Sequence, residues 1–583
     1  MEKILRNRKT ALFFVLFLLL VFGYSNTLFA PFLLDDKLYI NIITANQSDR
    51  YHQLFPPRVR HFFYLSLIFN HSAGGLNPFG YHLVNISLHF LTSFVIFFIS
   101  FITIKRGTPW GQHAGPIAFI TALAFALSPV HTETVTYISG RATGLSGFFF
   151  FSSLLLFILG SFEERRVRPR ILFYLSALIC FVISIFSKET GLILPALILL
   201  YDFCFMQKDG WANLKNRFLF LYLPLAACSV IVIFQVTSIK GVIFSWWRQM
   251  DYSYALKQVS IVIHGLKLLL FPIGLTFDYD FPNAFFPHPA MRVLLALFLV
   301  GLIIWAVKKF PKAGRILTFC VLWFLITVAP TNSFLPRLDL LSERNLYMAS
   351  FGVFFLMASC GYLIFISLGE GFRKVAIGCL VIGLVSYATL LMDRNSAYRS
   401  NTSLWEDVVK KAPGKTRAWH NLSYAYLNEL NFEKALGSLQ GLIHSNPSKH
   451  YLADAHSKLG TIHSRQGNLQ KAIAAYKEGI RVDPTLPINP LNLGGVYARQ
   501  GNYVKARDAY EKAEKLFKRN VLTRNIPVKL YLQKAHVYFK LGLYEQAKTA
   551  NQIYLDKVPG SSTGHALMGE ISKAMGKAAN PDL

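Results

Sequence analysis

Long apolar runs separated by short polar segments fill the first 400 residues of the chain. One membrane crossing takes about 20 consecutive apolar residues. On that length we predict eleven transmembrane helices, at 11–30, 82–104, 116–135, 143–160, 171–187, 190–206, 218–238, 291–307, 316–331, 347–367 and 375–392. A further apolar segment, 256–272, is interrupted by His264, Lys267 and Pro272. We expect that segment to be half-buried or to lie at the membrane interface.

From about Trp405 the pattern changes to pairs of amphipathic helices that recur along the chain. Each pair is marked by a turn followed by an alanine; these are Ala435, Ala472, Ala506 and Ala547, spaced 37, 34 and 41 residues apart. The 34-residue spacing is typical of tetratricopeptide repeats, and we predict about four of them. Such repeats stack into a concave groove that holds a peptide or another protein, although a rigid spacer or a self-association surface fits the pattern too.

Composition agrees with a membrane part followed by a soluble part. Hydrophobic residues make up 53% of the 583 positions and charged residues only 16%, which is too apolar for an ordinary soluble protein of this size. Charged residues are denser after residue 400 than before it. The sequence therefore predicts an all-α fold with a polytopic membrane domain at 1–392 and a repeat α-solenoid at 393–583.

The formal net charge of +29 reflects membrane topology better than nucleic-acid binding. Most basic residues of the first part stand in short clusters between apolar runs, and alternate clusters are expected on the cytoplasmic side. The remaining loops, which hold most of the unusual polar residues, then lie on the outer face together with the repeats. Short loops and the lack of an organelle signal suggest a bacterial inner membrane, with the repeats in the periplasm.

Asp35 and Asp36 follow directly on the first apolar run, at the edge of the membrane. A carboxylate in such a place can act as general base for a hydroxyl acceptor while a phosphate leaves from a sugar carbon. The pair taken alone is explained more simply as a helix start in the headgroup region. Two adjacent carboxylates can also bind a divalent cation, so the sequence leaves metal dependence open.

Cations on the same side are needed to hold a departing phosphate. The outer segments offer Arg58, Arg60, Arg141, Lys188 and Arg344 for that role. Further polar residues that would support the site are His131, Glu133, Glu189 and Glu343. His131 and Glu133 also fit a solvated turn after Pro129, and Lys188 with Glu189 also fits a local ion pair.

The order of the outer motifs is specific. The chain reads Leu33-Leu34-Asp35-Asp36, then Asn77-Pro78-Phe79-Gly80-Tyr81-His82, Ser128-Pro129-Val130-His131-Thr132-Glu133, Ser139-Gly140-Arg141-Ala142, Ser187-Lys188-Glu189-Thr190 and Ser342-Glu343-Arg344-Asn345, with tetratricopeptide repeats behind. In this order and over nearly its whole length it resembles the transmembrane-and-tetratricopeptide protein O-mannosyltransferases and their bacterial relatives.

The resemblance implies a membrane glycosyltransferase of the C superfamily that moves a mannose-like sugar, with inversion, from a polyprenyl-phosphate donor to Ser or Thr hydroxyls of a protein on the outer face. Asp35 would be the base, Asp36 its support or a contact to the acceptor, and the repeats would recruit the acceptor. The chain departs from the family pattern at Arg60-His61, Ser128-Pro129 and Thr143, which leaves the sugar and acceptor undetermined. The alternatives are a glycan or lipid acceptor, or a non-catalytic membrane-anchored scaffold for envelope assembly.

Overall fold

The computed structural model describes residues 16–44, 60–162, 167–206, 217–236, 252–281, 311–332, 339–519 and 526–579, with isolated positions at 14 and between 294 and 309. Within these residues every regular element is helical and no β-strand occurs. The all-α fold predicted from the sequence is therefore confirmed. The chain divides by its contacts into two compact units, Met1–Lys411 and Ala412–Leu583.

The first unit is a bundle of helices joined by short turns. Its helices are α1 (Leu16–Thr27), α2 (Asp35–Thr44), α3 (His61–Gly74), α4 (Pro78–Gly107), α5 (Ala114–Leu127), α6 (Thr132–Val135), α7 (Arg141–Ser161), α8 (Val167–Ser187), α9 (Leu194–Phe205), α10 (Leu223–Val236), α11 (Tyr252–Leu270), α12 (Pro311–Val328), α13 (Leu346–Ser367), α14 (Glu370–Ser396) and α15 (Asn401–Lys411). Short 3-10 turns lie at Gly111–His113, Pro129–His131, Ile138–Gly140, Glu189–Ile193, Glu343–Asn345 and Ala397–Arg399, and a π-helical turn at Phe218–Tyr222.

Five stretches of the described chain are long and apolar enough to cross a membrane: Pro78–Gly107, Ile138–Ser161, Pro169–Ser187, Glu343–Ser367 and Glu370–Arg399. They coincide with the spans predicted at 82–104, 143–160, 171–187, 347–367 and 375–392. The span predicted at 291–307 lies outside the described residues apart from isolated positions. These helices make the chain an integral membrane protein, and the total of eleven crossings stays a prediction.

The predicted span at 116–135 is broken. Helix α5 ends at Leu127, and the segment Pro129–Val135 continues at an angle of 48° to it. Ser128 before the proline has an extended backbone, with ψ 120°, because a proline ring disfavours the helical conformation of the residue in front of it. The break turns the short helix α6, with Glu133, away from the axis of α5.

Aromatic side chains fill the core of the first unit. Trp323 of α12 is fully buried, stacks on Phe151 of α7 with 5.8 Å between ring centroids, and donates its indole N–H to the carbonyl of Met348 at 2.9 Å. Large rings that also satisfy their polar atom stabilise a bundle through both buried area and hydrogen bonding. This core holds α7, α12 and α13 together, and the candidate residues lie at the ends of these and neighbouring helices.

The boundary predicted between residues 392 and 393 lies inside α14. The division by contacts falls after Lys411, because residues of α14 and α15 interact with the rest of the first unit. Buried Arg394 pairs with Glu343 at 3.2 Å and with Asp407 at 3.1 Å, and Lys411 donates to the carbonyl of Leu275 at 2.8 Å. Helix α15 therefore belongs to the membrane unit.

The second unit is a row of helix pairs. Its helices are α16 (Thr416–Asn428), α17 (Phe432–His444), α18 (Lys449–Arg465), α19 (Leu469–Val482), α20 (Ile488–Arg499), α21 (Tyr503–Arg519), α22 (Val528–Lys540), α23 (Tyr544–Lys557) and α24 (Ser562–Ala579). Small residues let paired helices approach, as the sequence predicts: a Cβ at Gly494 would lie 2.7 Å from the Tyr510 ring. The four predicted repeats correspond to the four pairs from α16 to α23, and α24 follows them.

Candidate functional site

Asp35 stands at the start of α2 with an exposed side chain. Its carboxylate makes no hydrogen bond or ion pair with any residue that the structure describes, whereas its backbone N–H donates to the Tyr137 hydroxyl at 3.0 Å. The preceding residue, Leu34, has φ 43°, a left-handed conformation that a leucine rarely adopts. Strain of this kind costs about 1–3 kcal/mol and persists only where surrounding contacts fix the backbone.

Asp36 supplies some of the contacts that fix the backbone at Leu34. It is 2% exposed, and its carboxylate accepts the backbone N–H of Leu33 at 2.9 Å and that of Ser139 at 2.7 Å. The Ser139 hydroxyl donates to the same carboxylate. Burial raises the pKa of Asp36 to about 7, against the opposing effect of these hydrogen bonds. Asp36 thus ties the strained turn to the start of α7, whereas the Asp35 carboxylate has no partner among the residues that the structure describes.

Tyr137 lies between Asp35 and a cation. Besides accepting the Asp35 N–H, its ring faces the guanidinium of Arg344, 5.6 Å from the ring centroid. The phenol is 1% exposed, and burial raises its pKa well above the ordinary range, as do the nearby carboxylates of Asp36 and Asp35. The hydroxyl therefore stays protonated. Tyr137 contacts the Asp35 backbone through this hydroxyl and the Arg344 guanidinium through its ring.

Arg344 is held in place by Glu133. The buried Glu133 carboxylate pairs with Nε of Arg344 at 2.7 Å and accepts the backbone N–H of Arg344 at 3.1 Å. It also accepts the Ser342 hydroxyl at 3.0 Å. The Arg344 side chain is 25% exposed whereas that of Glu133 is 1% exposed. The buried Glu133 carboxylate therefore orients a guanidinium that remains partly accessible to solvent. The predicted residues Glu133 and Arg344 thus lie together.

Lys188 and Arg60 complete a cationic cluster around this position. Lys188, just after α8, donates to the Thr143 hydroxyl at 2.8 Å. Burial lowers the pKa of its ammonium to about 7; the positive charges of Arg344 and Arg60 lower it too, while Glu189 and Glu133 oppose them. Arg60 donates to the hydroxyl of Tyr39, one helical turn beyond Asp35 in α2, at 2.7 Å. Concentrated positive charge next to a free carboxylate suits an anionic ligand.

Arg141, predicted to bind the lipid phosphate or the sugar, is buried among helices of the bundle. It is 1% exposed, and its guanidinium donates to Asn85 Oδ1 at 2.7 Å, to the carbonyl of Tyr81 at 2.7 Å and to the carbonyl of Ser66 at 3.2 Å. These acceptors belong to α3 and α4, so Arg141 joins both helices to the start of α7. The structure gives Arg141 a packing role two residues after Ser139, which holds Asp36.

Four predicted residues remain, and three of them lie within the described part of the chain. His131 is fully buried, with Nδ1 2.8 Å from the Phe125 carbonyl and Nε2 3.0 Å from the Ser350 hydroxyl, so it packs inside the bundle. Glu343 is buried against Arg394 and accepts the Tyr279 hydroxyl at 2.8 Å. Glu189 is half-buried beside Lys188. Arg58 lies outside the described residues.

The described residues contain no group of three His, Cys, Asp or Glu side chains placed to hold a metal ion. Sequence reasoning overlooked Tyr137 and gave Ser139 no role, although both stand in the segment 137–141 that carries the Ser-Gly-Arg motif. Gly140 in this segment has no room for a side chain, because a Cβ there would lie 2.4 Å from the Glu133 carbonyl. In the sequence, Gly140 was therefore the residue that could have indicated close packing of this segment against the backbone at Glu133 and Thr134.

Fold and site together define a polytopic membrane protein with a carboxylate–cation site and a repeat array behind it. The tetratricopeptide repeat models match residues 453–486 and 528–550, which confirms the predicted repeats. The chain is 24% identical over 594 residues to protein O-mannosyl-transferase TMTC3 of Mus musculus, covering 90% of this chain and 62% of that protein. It is 30% identical over 239 residues to protein O-mannosyl-transferase TMTC2 of Homo sapiens, covering 37% of this chain and 27% of that protein.

These matches confirm the predicted resemblance: over most of its length the chain is similar to the transmembrane-and-tetratricopeptide protein O-mannosyltransferases. It spans about three fifths of the length of the first of these relatives, 62% for the mouse protein. Among solved structures, ArnT from Cupriavidus metallidurans bound to undecaprenyl phosphate is 13% identical, with a TM-score of 0.38, covering 82% of this chain and 80% of that one.

Proposed function

We propose that the chain is a membrane glycosyltransferase that moves a monosaccharide from a polyprenyl-phosphate donor to Ser or Thr hydroxyls of a protein, on the periplasmic face of a bacterial inner membrane. The observation that carries the proposal is the free Asp35 carboxylate, fixed on a strained turn beside the partly accessible Arg344 guanidinium. The names of the relatives, all protein O-mannosyl-transferases, support a mannose-like sugar.

In this reaction Asp35 takes the proton from the acceptor hydroxyl, and the hydroxyl oxygen forms a bond to the anomeric carbon of the sugar. The bond from that carbon to the phosphate oxygen breaks at the same time, and its electron pair leaves with the polyprenyl phosphate, which inverts the anomeric centre. Arg344 and Lys188 stabilise the negative charge that develops on the leaving phosphate. Asp35 passes its proton to solvent afterwards.

The division of labour between the two aspartates follows from their surroundings. A general base must reach the proton that it abstracts, and only the exposed Asp35 has a carboxylate without a partner among the residues described. Asp36 is buried and has three donors on its carboxylate, which suits a residue that positions the turn. The repeats of the second unit would present the acceptor protein.

The direct test is sugar transfer by the purified chain from a synthetic polyprenyl-phosphate mannose to protein acceptors. A general base contributes about 10²–10⁴ in rate, so Asp35→Asn is expected to lower kcat by that factor. Asp393→Asn is a matched control, because Asp393 is also an exposed aspartate of the first unit. Full activity of Asp35→Asn would remove Asp35 from the mechanism.

The same assay distinguishes the alternative acceptors. Peptide, glycan and lipid acceptors are offered in parallel and the products are identified by mass spectrometry. Sugar on Ser or Thr is the expected product, and sugar only on a glycan or lipid would contradict the protein acceptor while keeping the donor chemistry. A scaffold without catalysis would give no product, and it would retain its cellular role in an Asp35→Asn, Asp36→Asn double variant.

A further inference from the structure

The second unit contains a groove lined mainly by the first helices of successive pairs. Residues of α18, α20, α22 and α24 enclose about 860 Å³ of open space. Apolar side chains form part of the wall, among them half-buried Leu491 and Leu532 and exposed Ala566. A concave channel with apolar walls accepts an extended chain and excludes a flat surface such as a bilayer.

The charge of this groove is one-sided. Arg465, Arg499 and Lys529 line it with exposed side chains, and Glu570 is the acid among the lining residues described. The Arg499 guanidinium is fixed at the wall, since it donates to the Ser464 carbonyl at 3.1 Å and to the Ser464 hydroxyl at 2.8 Å. A groove with low-dielectric walls focuses such a positive field and favours an acidic occupant.

Amide side chains add a second kind of contact. Asn492 and exposed Gln533 both line the groove, and Asn492 gives one of its N–H groups to the Ser457 hydroxyl at 3.3 Å. An amide has two donors and an acceptor with two lone pairs, so each side chain retains capacity for further bonds. A peptide backbone offers both donors and acceptors at regular intervals, which matches these two amides.

We infer that the groove binds an extended protein segment in which acidic side chains alternate with apolar ones. The acidic side chains contact Arg465, Arg499 and Lys529, and the apolar ones lie against Leu491 and Leu532. The role of this segment rests on the proposed function, in which it belongs to the acceptor protein and places its hydroxyls within reach of the transferase. Arg465, Arg499 and Lys529 would then select the acceptor.

Fluorescence anisotropy tests this with the full chain in detergent and no sugar donor present. The probes are labelled ten-residue peptides of alternating Glu and Leu, of Gln and Leu, and of Lys and Leu. The Glu peptide is expected to bind at least tenfold more tightly than the other two. In the Arg465→Glu, Lys529→Glu variant that affinity falls at least tenfold. The control, Lys548→Glu with Lys557→Glu, makes the same charge change at two exposed lysines of α23 and keeps the affinity.

Circular dichroism and the melting temperature verify that both double variants remain folded. Equal binding of the Glu and Gln peptides overturns the inference, and so does an equal loss in the two double variants, because the attraction would then be general. An oligonucleotide of the same charge that binds more tightly than the Glu peptide, and that loses binding in the groove variant, also overturns it. Since no donor is present, these outcomes are independent of the Asp35→Asn assay.

Discussion

The Tyr137 hydroxyl accepts the backbone N–H of Asp35 at 3.0 Å, and the same ring faces the Arg344 guanidinium. One buried phenol therefore contacts both the backbone of Asp35 and the cation that would hold the phosphate. Among the described residues neither Asp35 nor Asp36 forms a hydrogen bond or an ion pair with Arg344, whereas Tyr137 contacts both Asp35 and Arg344. This makes it a positioning residue under the proposed mechanism.

Replacing Tyr137 by Phe should lower kcat about tenfold with little change in the donor KM. The ring and its contact with Arg344 remain, but the Asp35 N–H loses its acceptor, and one lost hydrogen bond of about 1.4 kcal/mol corresponds to a factor of ten. Steady-state kinetics of the purified variant measure this split. Tyr174→Phe is the control, because its hydroxyl bonds Ser161 at the far end of α7. A raised KM at unchanged kcat would contradict the assignment.

Lys188 predicts a pH dependence of donor binding. Its pKa is lowered to about 7, so the ammonium is present below that pH and is lost as the pH rises through it. The KM for the polyprenyl-phosphate donor should therefore rise by roughly tenfold between about pH 6 and about pH 8. The measurement is donor KM across this range, with kcat recorded separately.

Two variants test whether Lys188 causes the pH dependence of the donor KM. Lys188→Arg keeps a cation that does not lose its proton in this range, so the donor KM should become flat with pH. Lys188→Met should give a high KM throughout. Lys37→Arg is the matched control, since Lys37 is exposed on α2 and should leave the wild-type profile unchanged. A wild-type profile retained in Lys188→Arg would assign the titration to another group.

Gly140 gives a steric prediction. An alanine there would place Cβ 2.4 Å from the Glu133 carbonyl and 2.6 Å from that of Thr134, both backbone atoms that cannot move aside. The backbone at Glu133 would move away from Ser139, which donates hydrogen bonds to Asp36. Gly140→Ala should therefore lose most of the transferase activity and lower the melting temperature. Gly144→Ala, where the nearest atom is a Thr134 methyl at 3.9 Å, should be tolerated. Similar activity of the two variants would refute this packing.

Much of the fold follows from sequence periodicity alone. Apolar runs of membrane length predict α4, α7, α8, α13 and α14. Each of these helices carries apolar side chains on all of its faces, as a helix that crosses a membrane does. The alanine spacing predicts the repeats. The break after Leu127 was missed because hydropathy does not register a single proline, although Pro129 with extended Ser128 is a recognisable helix boundary. The first unit extends to Lys411, beyond the last apolar run, because Arg394 of α14 pairs with Glu343 and with Asp407 of α15, and hydropathy does not register such ion pairs.

The candidate site was predictable in its chemistry and less so in its geometry. Exposed Asp35 and half-buried Lys188 and Arg344 were candidates because their charges stand in loops that the sequence predicts on the outer face. The burial of Arg141 does not, because its acceptors Asn85, Tyr81 and Ser66 are carbonyl groups on other helices that no charge pattern reveals. Tyr137 was overlooked for the same reason, since an aromatic residue in an apolar segment looks like core until its hydroxyl partner is known.

Glu343 and Arg394 lead to a prediction about stability. Both are buried and 3.2 Å apart, and removal of one partner of a buried pair leaves an uncompensated charge at a cost of about 3–5 kcal/mol. Arg394→Met should therefore lower the melting temperature in detergent strongly, while Asp407 keeps Lys411 as partner at 2.6 Å. The double variant Glu343→Gln with Arg394→Met should recover most of the loss.

The exposed pair Arg481 with Glu478 is the control, because Arg481→Met should change stability by at most about 1 kcal/mol. A double variant no more stable than Arg394→Met would show that Arg394 acts through packing instead of charge.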